Sequence, residues 1–328
     1  MDEKKFTWGI IGPGRIAHNF AKAINVIDNA ELNAVASRNE EKGKVFANQY
    51  YVKKIYNSYE DLVNDSEIDA IYISTPHRFH FENTILALKA GKPVLCEKPF
   101  TVNSQEAKTL IHTARKNKLF VMEALWTRFL PIYKVVRNWL EENLIGDVKL
   151  LTSTFGYAFE RNLTDRKFNH ELAGGGLLDL GIYSIAISQW VLRKNPISFS
   201  ASGYLGETNV DEMLAVNLDY GNGVISQFSC NLLSTNENDF IIYGTKGYIR
   251  IHCMFWGAKK ATLYVDGKET TEERPFRSSG FEYQIEEAMN CIKSGKLESE
   301  EMSHEQTLEN LTLMDDIRKN IGLKYSFE

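Results

Sequence analysis

Phe6-Thr7-Trp8-Gly9-Ile10-Ile11-Gly12-Pro13-Gly14-Arg15-Ile16-Ala17 is the stretch that decides the fold. A short apolar run rich in aromatic and β-branched residues ends in Gly-x-Gly-x-x-Ala and passes into an amphipathic segment. Ile16, Phe20 and Ile24, with Ala17 and Ala21, line the apolar face of that segment. In a strand–turn–helix of this kind Gly12 permits the sharp turn and Gly14 lets a pyrophosphate approach the backbone. Ala17 lets helix and strand pack closely, and the helix start at Arg15 and Ile16 presents its positive end to the phosphates. A lone glycine fingerprint is weak evidence, and a purely structural turn is the alternative. Its weight comes from standing first in a repeated strand–helix pattern.

That pattern runs outward to about Glu123. Strands are predicted at 7–11, 32–37, 54–56, 70–74, 94–97 and 120–122, separated by helical periods. Asn39 is placed to cap a helix reaching Gln49. Ser58 with Asp61 and Asn103 with Glu106 read as capping boxes, and Gly91 falls where a helix should stop. After Trp126 the texture changes. A helix is predicted over 131–142, then strands at 148–155, 197–205, 213–220, 224–231, 240–243 and 248–252, with Tyr220-Gly221-Asn222-Gly223 as a tight hairpin turn. Helices near 281–293 and 305–322 follow. The expected fold class is α/β: an N-terminal Rossmann domain over 1–123 with a doubly wound parallel sheet, then a C-terminal α+β domain over 124–328 with a large, mostly antiparallel, open-faced sheet. Alternation along the later strands leaves one sheet face uncovered, and a second subunit is the natural cover, giving a homo-dimer or homo-tetramer.

Bulk properties narrow the function. At 328 residues with 43% apolar and 25% charged content, the chain is longer than one ordinary core serves, so two domains are expected. The net charge of −5, with no Lys/Arg stripe, argues against a nucleic-acid partner. The opening Met-Asp-Glu-Lys-Lys-Phe lacks the form of a secretory signal, and no run reads as apolar enough to cross a bilayer, so a cytoplasmic protein is expected. Cys96, Cys230, Cys253 and Cys291 form no Cys-x-x-Cys pair, which suits a reducing compartment without disulfides or structural zinc.

Strand carboxyl ends in doubly wound sheets point at the ligand crevice, which selects further candidates. The second strand ends in Ser37-Arg38 where an NAD site usually offers a carboxylate. A guanidinium there pairs with a 2′-phosphate, so NADP is favoured over NAD, which stays possible. A solvated charge at the start of the next helix is the plainer reading of Arg38. The next turn carries Thr75, Pro76 and His77, with His80 a helical turn later, on the expected nicotinamide side. Both histidines suit helix capping equally well. Glu97 and Lys98 follow the fifth strand, and Trp126 and Arg128 follow the sixth, where they either wall the pocket or pack the hinge.

Gly-Ile-Ile-Gly-Pro-Gly-Arg-Ile-Ala (9–17), Ser-Thr-Pro-His-Arg-Phe-His (74–80) and Glu97-Lys98-Pro99 together resemble the glucose-fructose oxidoreductase/inositol dehydrogenase/MocA family. Met-Glu-Ala-Leu-Trp-Thr-Arg-Phe (122–129) and Gly-Gly-Gly-Leu-Leu-Asp-Leu-Gly-Ile-Tyr (174–183) are similar to its dihydrodiol and NADP-linked xylose dehydrogenase branch. The resemblance spans nearly the whole chain and is weakest over 203–277. It implies a Lys98, Asp179, Tyr183 catalytic set, with Tyr183 as acid/base where many members of the wider family carry histidine.

The residue chemistry is consistent with that set. Asp179 and Tyr183 are four apart in a segment of helical period, so they share one face. A phenol titrates ordinarily near about 10, and a neighbouring ammonium, for which Lys98 is the candidate, favours the phenolate. The expected reaction is hydride exchange between the nicotinamide and a secondary alcohol or hemiacetal of a sugar, polyol or cyclic trans-diol, with no metal. Other readings are an NADP-sensing regulator that turns nothing over and an oxidoreductase that keeps its NADP bound. Tyr183 and Asp179 as ordinary residues of an apolar helix are the structural alternative.

Overall fold

The computed structural model describes residues 4–328; the first three residues of the acid- and lysine-rich opening lie outside it. The chain divides into two compact units: one running up to Trp126 and including Arg277–Leu308, the other comprising Thr127–Phe276 and Glu309–Glu328.

In the first unit, β1 (Phe6–Ile11), α1 (Ala17–Ile24), β2 (Ala30–Ala36), α2 (Glu40–Tyr50), β3 (Lys54–Tyr56), α3 (Tyr59–Val63), β4 (Ala70–Ile73), α4 (His80–Lys89), β5 (Val94–Glu97), α5 (Ser104–Asn117) and β6 (Val121–Ala124) alternate along the chain. The six strands form one sheet in the order β3-β2-β1-β4-β5-β6, and every pair is parallel. The order reverses between β1 and β4, which opens the crevice that doubly wound sheets use for ligands. β1, β4, β5 and β6 are buried throughout, as strands covered on both faces must be. The predicted caps form: Asn39 Oδ1 accepts from Lys42 N at 2.9 Å, Ser58 Oγ from Asp61 N at 3.1 Å and Asn103 Oδ1 from Glu106 N at 2.9 Å.

The second unit opens with α6 (Pro131–Glu141) and contains an eight-stranded sheet: β7 (Val148–Gly156), β8 (Ser198–Leu205), β9 (Asp211–Asp219), β10 (Ile225–Asn231), β11 (Phe240–Gly244), β12 (Gly247–Ile251), β13 (Lys260–Val265) and β14 (Lys268–Glu273). Its order is β14-β13-β12-β11-β7-β10-β9-β8, antiparallel except where β7 meets β10. The 220–223 turn joins β9 to β10 as expected, closed by Tyr220 N donating to Val224 O at 2.9 Å. The β13–β14 hairpin, turning at Asp266-Gly267 with positive φ at both, is an element the sequence pattern did not yield. The helix between β7 and β8, α7 (Ile182–Leu192), packs on this sheet. Ser153 Oγ donates to Ser184 Oγ at 2.9 Å, and Ser188 and Ser226 share a hydrogen bond of 2.8 Å. On the other face Thr152, Thr154, Ala215, Asn217, Gln227 and Ser229 remain exposed or half-buried, alternating with buried Ser153, Val216 and Phe228.

Two expectations need correction. The division at residue 123 is not contiguous, because α8 (Glu282–Lys293) and the first residues of α9 (His304–Asn320) belong with the parallel sheet. Ser279 Oγ donates to Asn19 O at 2.8 Å, Ser278 Oγ to Lys22 O at 3.0 Å, and His304 Nε2 lies 2.9 Å from Val121 O. The expectation that no run is apolar enough for a membrane also fails. By composition a window within His170–Leu192 is apolar enough, but 94% of that window is buried inside the protein, so it reads as a core segment.

Candidate functional site

The glycine turn is held by its neighbours in the sheet. Gly12 adopts φ +86° and donates its N–H to Ala36 O at 3.1 Å, while Ser74 Oγ donates to Gly12 O at 2.8 Å. A Cβ on Gly12 would stand 2.8 Å from Thr75 Cγ2, so both backbone conformation and space demand glycine there. Gly14 and Arg15 are exposed at the start of α1, and a Cβ on Gly14 would meet nothing nearer than Ser74 O at 3.5 Å. The protein itself therefore imposes no steric need for glycine at 14, and the open side of the turn fits a phosphate brought against backbone N–H groups. Ile16 is half-buried beside it.

Beyond β2, Ser37 is buried and its hydroxyl donates to Asn39 O at 2.8 Å, which shapes the entry to α2. Arg38 is exposed, with its guanidinium carbon 5.2 Å from the centre of the Phe79 ring, and it hydrogen-bonds Tyr59. Burial raises the Tyr59 phenol above its ordinary pKa, and Arg38 partly offsets this. A cation braced by two aromatic residues at this strand end suits an anion on the adenosine ribose.

After β4, Thr75 and His77 are buried and Pro76 is half-buried. Asn83 Nδ2 donates to Thr75 Oγ1 at 3.1 Å. His80 is only 1% exposed, with Nε2 2.8 Å from Thr75 O and Nδ1 2.7 Å from Pro99 O. The expectation that His80 lines the cofactor gives way to a role beneath the turn, since both ring nitrogens are occupied by backbone.

After β5, Glu97 is buried. Tyr72 Oη donates to its Oε1 at 2.5 Å, and its Oε2 accepts from Lys98 N at 3.2 Å. The Tyr72 ring stacks on Phe20 of α1 at 3.9 Å. Lys98 is half-buried, its bond to Pro99 is cis, and Phe100 N donates to Glu123 Oε1 at 2.9 Å. Trp126, half-buried, packs 4.9 Å from Phe281.

The remaining candidates belong to the second unit, where Arg128 is buried. Asp179 lies in a π-helical turn, Leu177–Gly181, that runs into α7, and not in the regular α-helix expected. A π turn closes five residues apart, so Asp179 and Tyr183 keep roughly the same side. Arg166 Nη2 donates to Asp179 Oδ2 at 3.0 Å, a partner the sequence did not signal. Tyr183 is 5% exposed among aromatic rings: Phe155 at 5.8 Å and Trp256 at 6.4 Å, these two stacked on each other at 3.6 Å. The Thr127 hydroxyl donates to Trp256 O and fixes that loop.

Asp211 governs how this helix begins. Its Oδ2 accepts from Leu177 N at 2.6 Å, and a Cβ on Gly175, at φ +119°, would fall on its Oδ1. The glycine run thus lets the chain pass against a buried carboxyl. Burial pushes the Asp211 pKa up to about 7, against the lowering effect of the backbone N–H groups it accepts from. The Tyr325 hydroxyl donates to Gly174 O at 2.5 Å and braces the same segment. Among the described residues no group of three His, Cys, Asp or Glu side chains is placed to hold a metal ion.

Comparison with known proteins agrees with this architecture. The profile described as the GFO/IDH/MocA oxidoreductase family, NAD-binding Rossmann fold, matches residues 6–125, and that of the GFO/IDH/MocA C-terminal domain matches 133–250. The chain is 36% identical to a trans-1,2-dihydrobenzene-1,2-diol dehydrogenase of Xenopus laevis over 97% of its own length and 98% of the relative's. It is 31% identical to the human protein of that name, covering 97% of each chain. A 3-ketoreductase from Actinomadura kijaniata, solved with NADP and TDP-benzene, shares the fold at a TM-score of 0.88 and 24% identity, over 97% of this chain and 98% of that one. The aldose-aldose oxidoreductase from Caulobacter crescentus, complexed with glycerol, does so at 0.88 and 21% identity, with the same coverage. With both halves matched in order, the chain belongs to the GFO/IDH/MocA oxidoreductase family.

Proposed function

We propose that this chain is an NADP-dependent dehydrogenase or reductase acting on a CH–OH group of a cyclic trans-diol or a sugar. The observation that carries the reading is the near full-length relationship to trans-1,2-dihydrobenzene-1,2-diol dehydrogenases. The exposed Gly14 and Arg15 turn, with Arg38 beyond β2, supports a phosphorylated dinucleotide along the parallel sheet. We assign Gly12, Gly14, Arg15, Ile16, Arg38, Thr75, Pro76 and His77 to holding it, with Ser37 shaping the Arg38 turn. Glu97, Lys98, Trp126 and Arg128 are assigned to the nicotinamide end.

When bound, NADP⁺ supplies the hydride acceptor at nicotinamide C4. Tyr183 takes the substrate's hydroxyl proton at its phenol oxygen as the C–H bond breaks and returns it in the reductive direction. The Lys98 ammonium stabilises the developing alkoxide, and Asp179, oriented by Arg166, accepts a hydrogen bond from a neighbouring substrate hydroxyl. The stacked Phe155 and Trp256 rings offer an apolar wall beside Tyr183, which favours substrates with an apolar ring face.

The open face around Thr152, Asn217 and Gln227 supports a homo-dimer formed through the eight-stranded sheet. Sedimentation of wild type against Asn217→Arg tests that. Four free thiols, three of them buried, support a cytoplasmic location. The function itself is tested by following NADPH absorbance with trans-1,2-dihydrobenzene-1,2-diol, D-xylose and D-glucose. Turnover of at least one is expected, and none with NADP⁺ bound would overturn the reading.

A further inference from the structure

The His80 ring is clamped between two carbonyl oxygens that come from different turns of the first unit. Thr75 O lies at 2.8 Å from Nε2 and Pro99 O at 2.7 Å from Nδ1. Carbonyl oxygens only accept, and a neutral imidazole carries a single N–H, so satisfying both contacts takes the ring with donors on both nitrogens. At 1% exposure the ring is buried, and an unmade hydrogen bond there is costly.

The two carbonyls matter for where they sit. Thr75 abuts Gly12 in the turn after β4, and its hydroxyl also accepts from Asn83, one helical turn beyond His80. Pro99 is the residue after Lys98. Helix α4 therefore grips the β4 turn at two points and reaches across to the β5 turn with a single ring. The Lys98 backbone is held from its other side as well, by Glu97 Oε2 at 3.2 Å, with Glu97 itself held by Tyr72.

We propose that His80 is a positioning residue for Lys98: its doubly donating ring spans the Thr75 and Pro99 carbonyls and fixes the lysine's backbone against the glycine turn. The inference rests on the catalytic assignment of Lys98 above. A misplacement of about 1 Å at a reacting group can cost about a hundredfold in rate, so the strut's contribution should be visible in turnover.

The experiment is a double-mutant cycle with His80→Gln and Lys98→Met, measuring kcat and the Kd for NADPH. His80→Gln alone is expected to lower kcat by about tenfold to a hundredfold with Kd within about twofold, and to cost less than about twofold once Lys98 is Met. Losses that multiply across the two backgrounds overturn the inference while leaving the catalytic role of Lys98 standing. Full kcat in Lys98→Met overturns both. A second measurement needs no variant: a two-bond ¹H–¹⁵N spectrum of the wild-type protein with its 7 histidines labelled, at about pH 7.5. One ring with both nitrogens protonated is expected, and its absence overturns the bridge however the variants behave.

Discussion

Arg166 reaches Asp179 with Nη2 3.0 Å from Oδ2 and 3.4 Å from Oδ1, so a carboxylate that is 5% exposed is oriented by a guanidinium thirteen residues earlier in the chain. If Asp179 orients substrate, Arg166→Met should act on binding more than on chemistry. We expect KM to rise by roughly threefold to tenfold with kcat within about threefold. Steady-state kinetics check this, and an unchanged KM would remove Asp179 from substrate contact.

Gly12 is the position where the turn leaves no freedom, with φ +86° and a would-be Cβ 2.8 Å from Thr75 Cγ2. Gly12→Ala is expected to lower stability by about 1–3 kcal/mol and to weaken NADPH binding by more than about tenfold. Gly14→Ala, where nothing lies nearer than 3.5 Å, should leave stability unchanged while weakening the cofactor. Thermal melts and fluorescence titration separate the two.

If the exposed Arg38 guanidinium meets the 2′-phosphate, as proposed, it supplies a charge that distinguishes the two dinucleotides. Arg38→Ala should weaken NADP⁺ by about tenfold to a hundredfold, the size of one charge-assisted contact, and NAD⁺ by less than about twofold. Calorimetric titration with both nucleotides decides it, and equal losses would refute the role of the guanidinium.

Asp211 makes stability depend on pH in an unusual direction. Its pKa is pushed up to about 7 in the folded chain against an ordinary 3.8, so the folded state holds the proton more tightly. The stabilising contribution is complete below about pH 4 and is lost as pH rises through about 7. Wild type should therefore lose stability relative to Asp211→Asn over that window, by at most about 1.4 kcal/mol per pH unit. Denaturant midpoints of both proteins at pH 4.5, about 5.5 and about 7 measure the difference; a constant gap would contradict it.

Much of the parallel sheet was legible because each strand end carries its own signal. Gly12 after β1, Asn39 before α2, Ser58 before α3 and Asn103 before α5 act locally, through backbone conformation or a side-chain cap, and local chemistry is what a sequence displays. What stayed hidden depends on tertiary partners. The periodicity of 282–293 shows a helix with an apolar face but not which sheet that face meets. β14, Lys-Glu-Thr-Thr-Glu-Glu, is polar on both faces, so alternation gave no strand signal despite the Asp-Gly turn before it. The residue types of His80, Arg166 and Asp211 are plain in the sequence, and Thr75 shares the 74–80 motif with His80, but the partners Pro99, Asp179 and Leu177 lie at sequence separations of 19, 13 and 34, outside any one motif.

In the proposed reaction a Tyr183 phenol and a Lys98 ammonium serve hydride chemistry on bound NADP. The direct measurement is single-turnover NADP⁺ reduction by wild type, Tyr183→Phe and Lys98→Met, with the substrate that wild type turns over best. Rates reduced by about a hundredfold or more in both variants, with NADPH affinity within about threefold of wild type, are predicted. Wild-type rates in Tyr183→Phe would contradict the account.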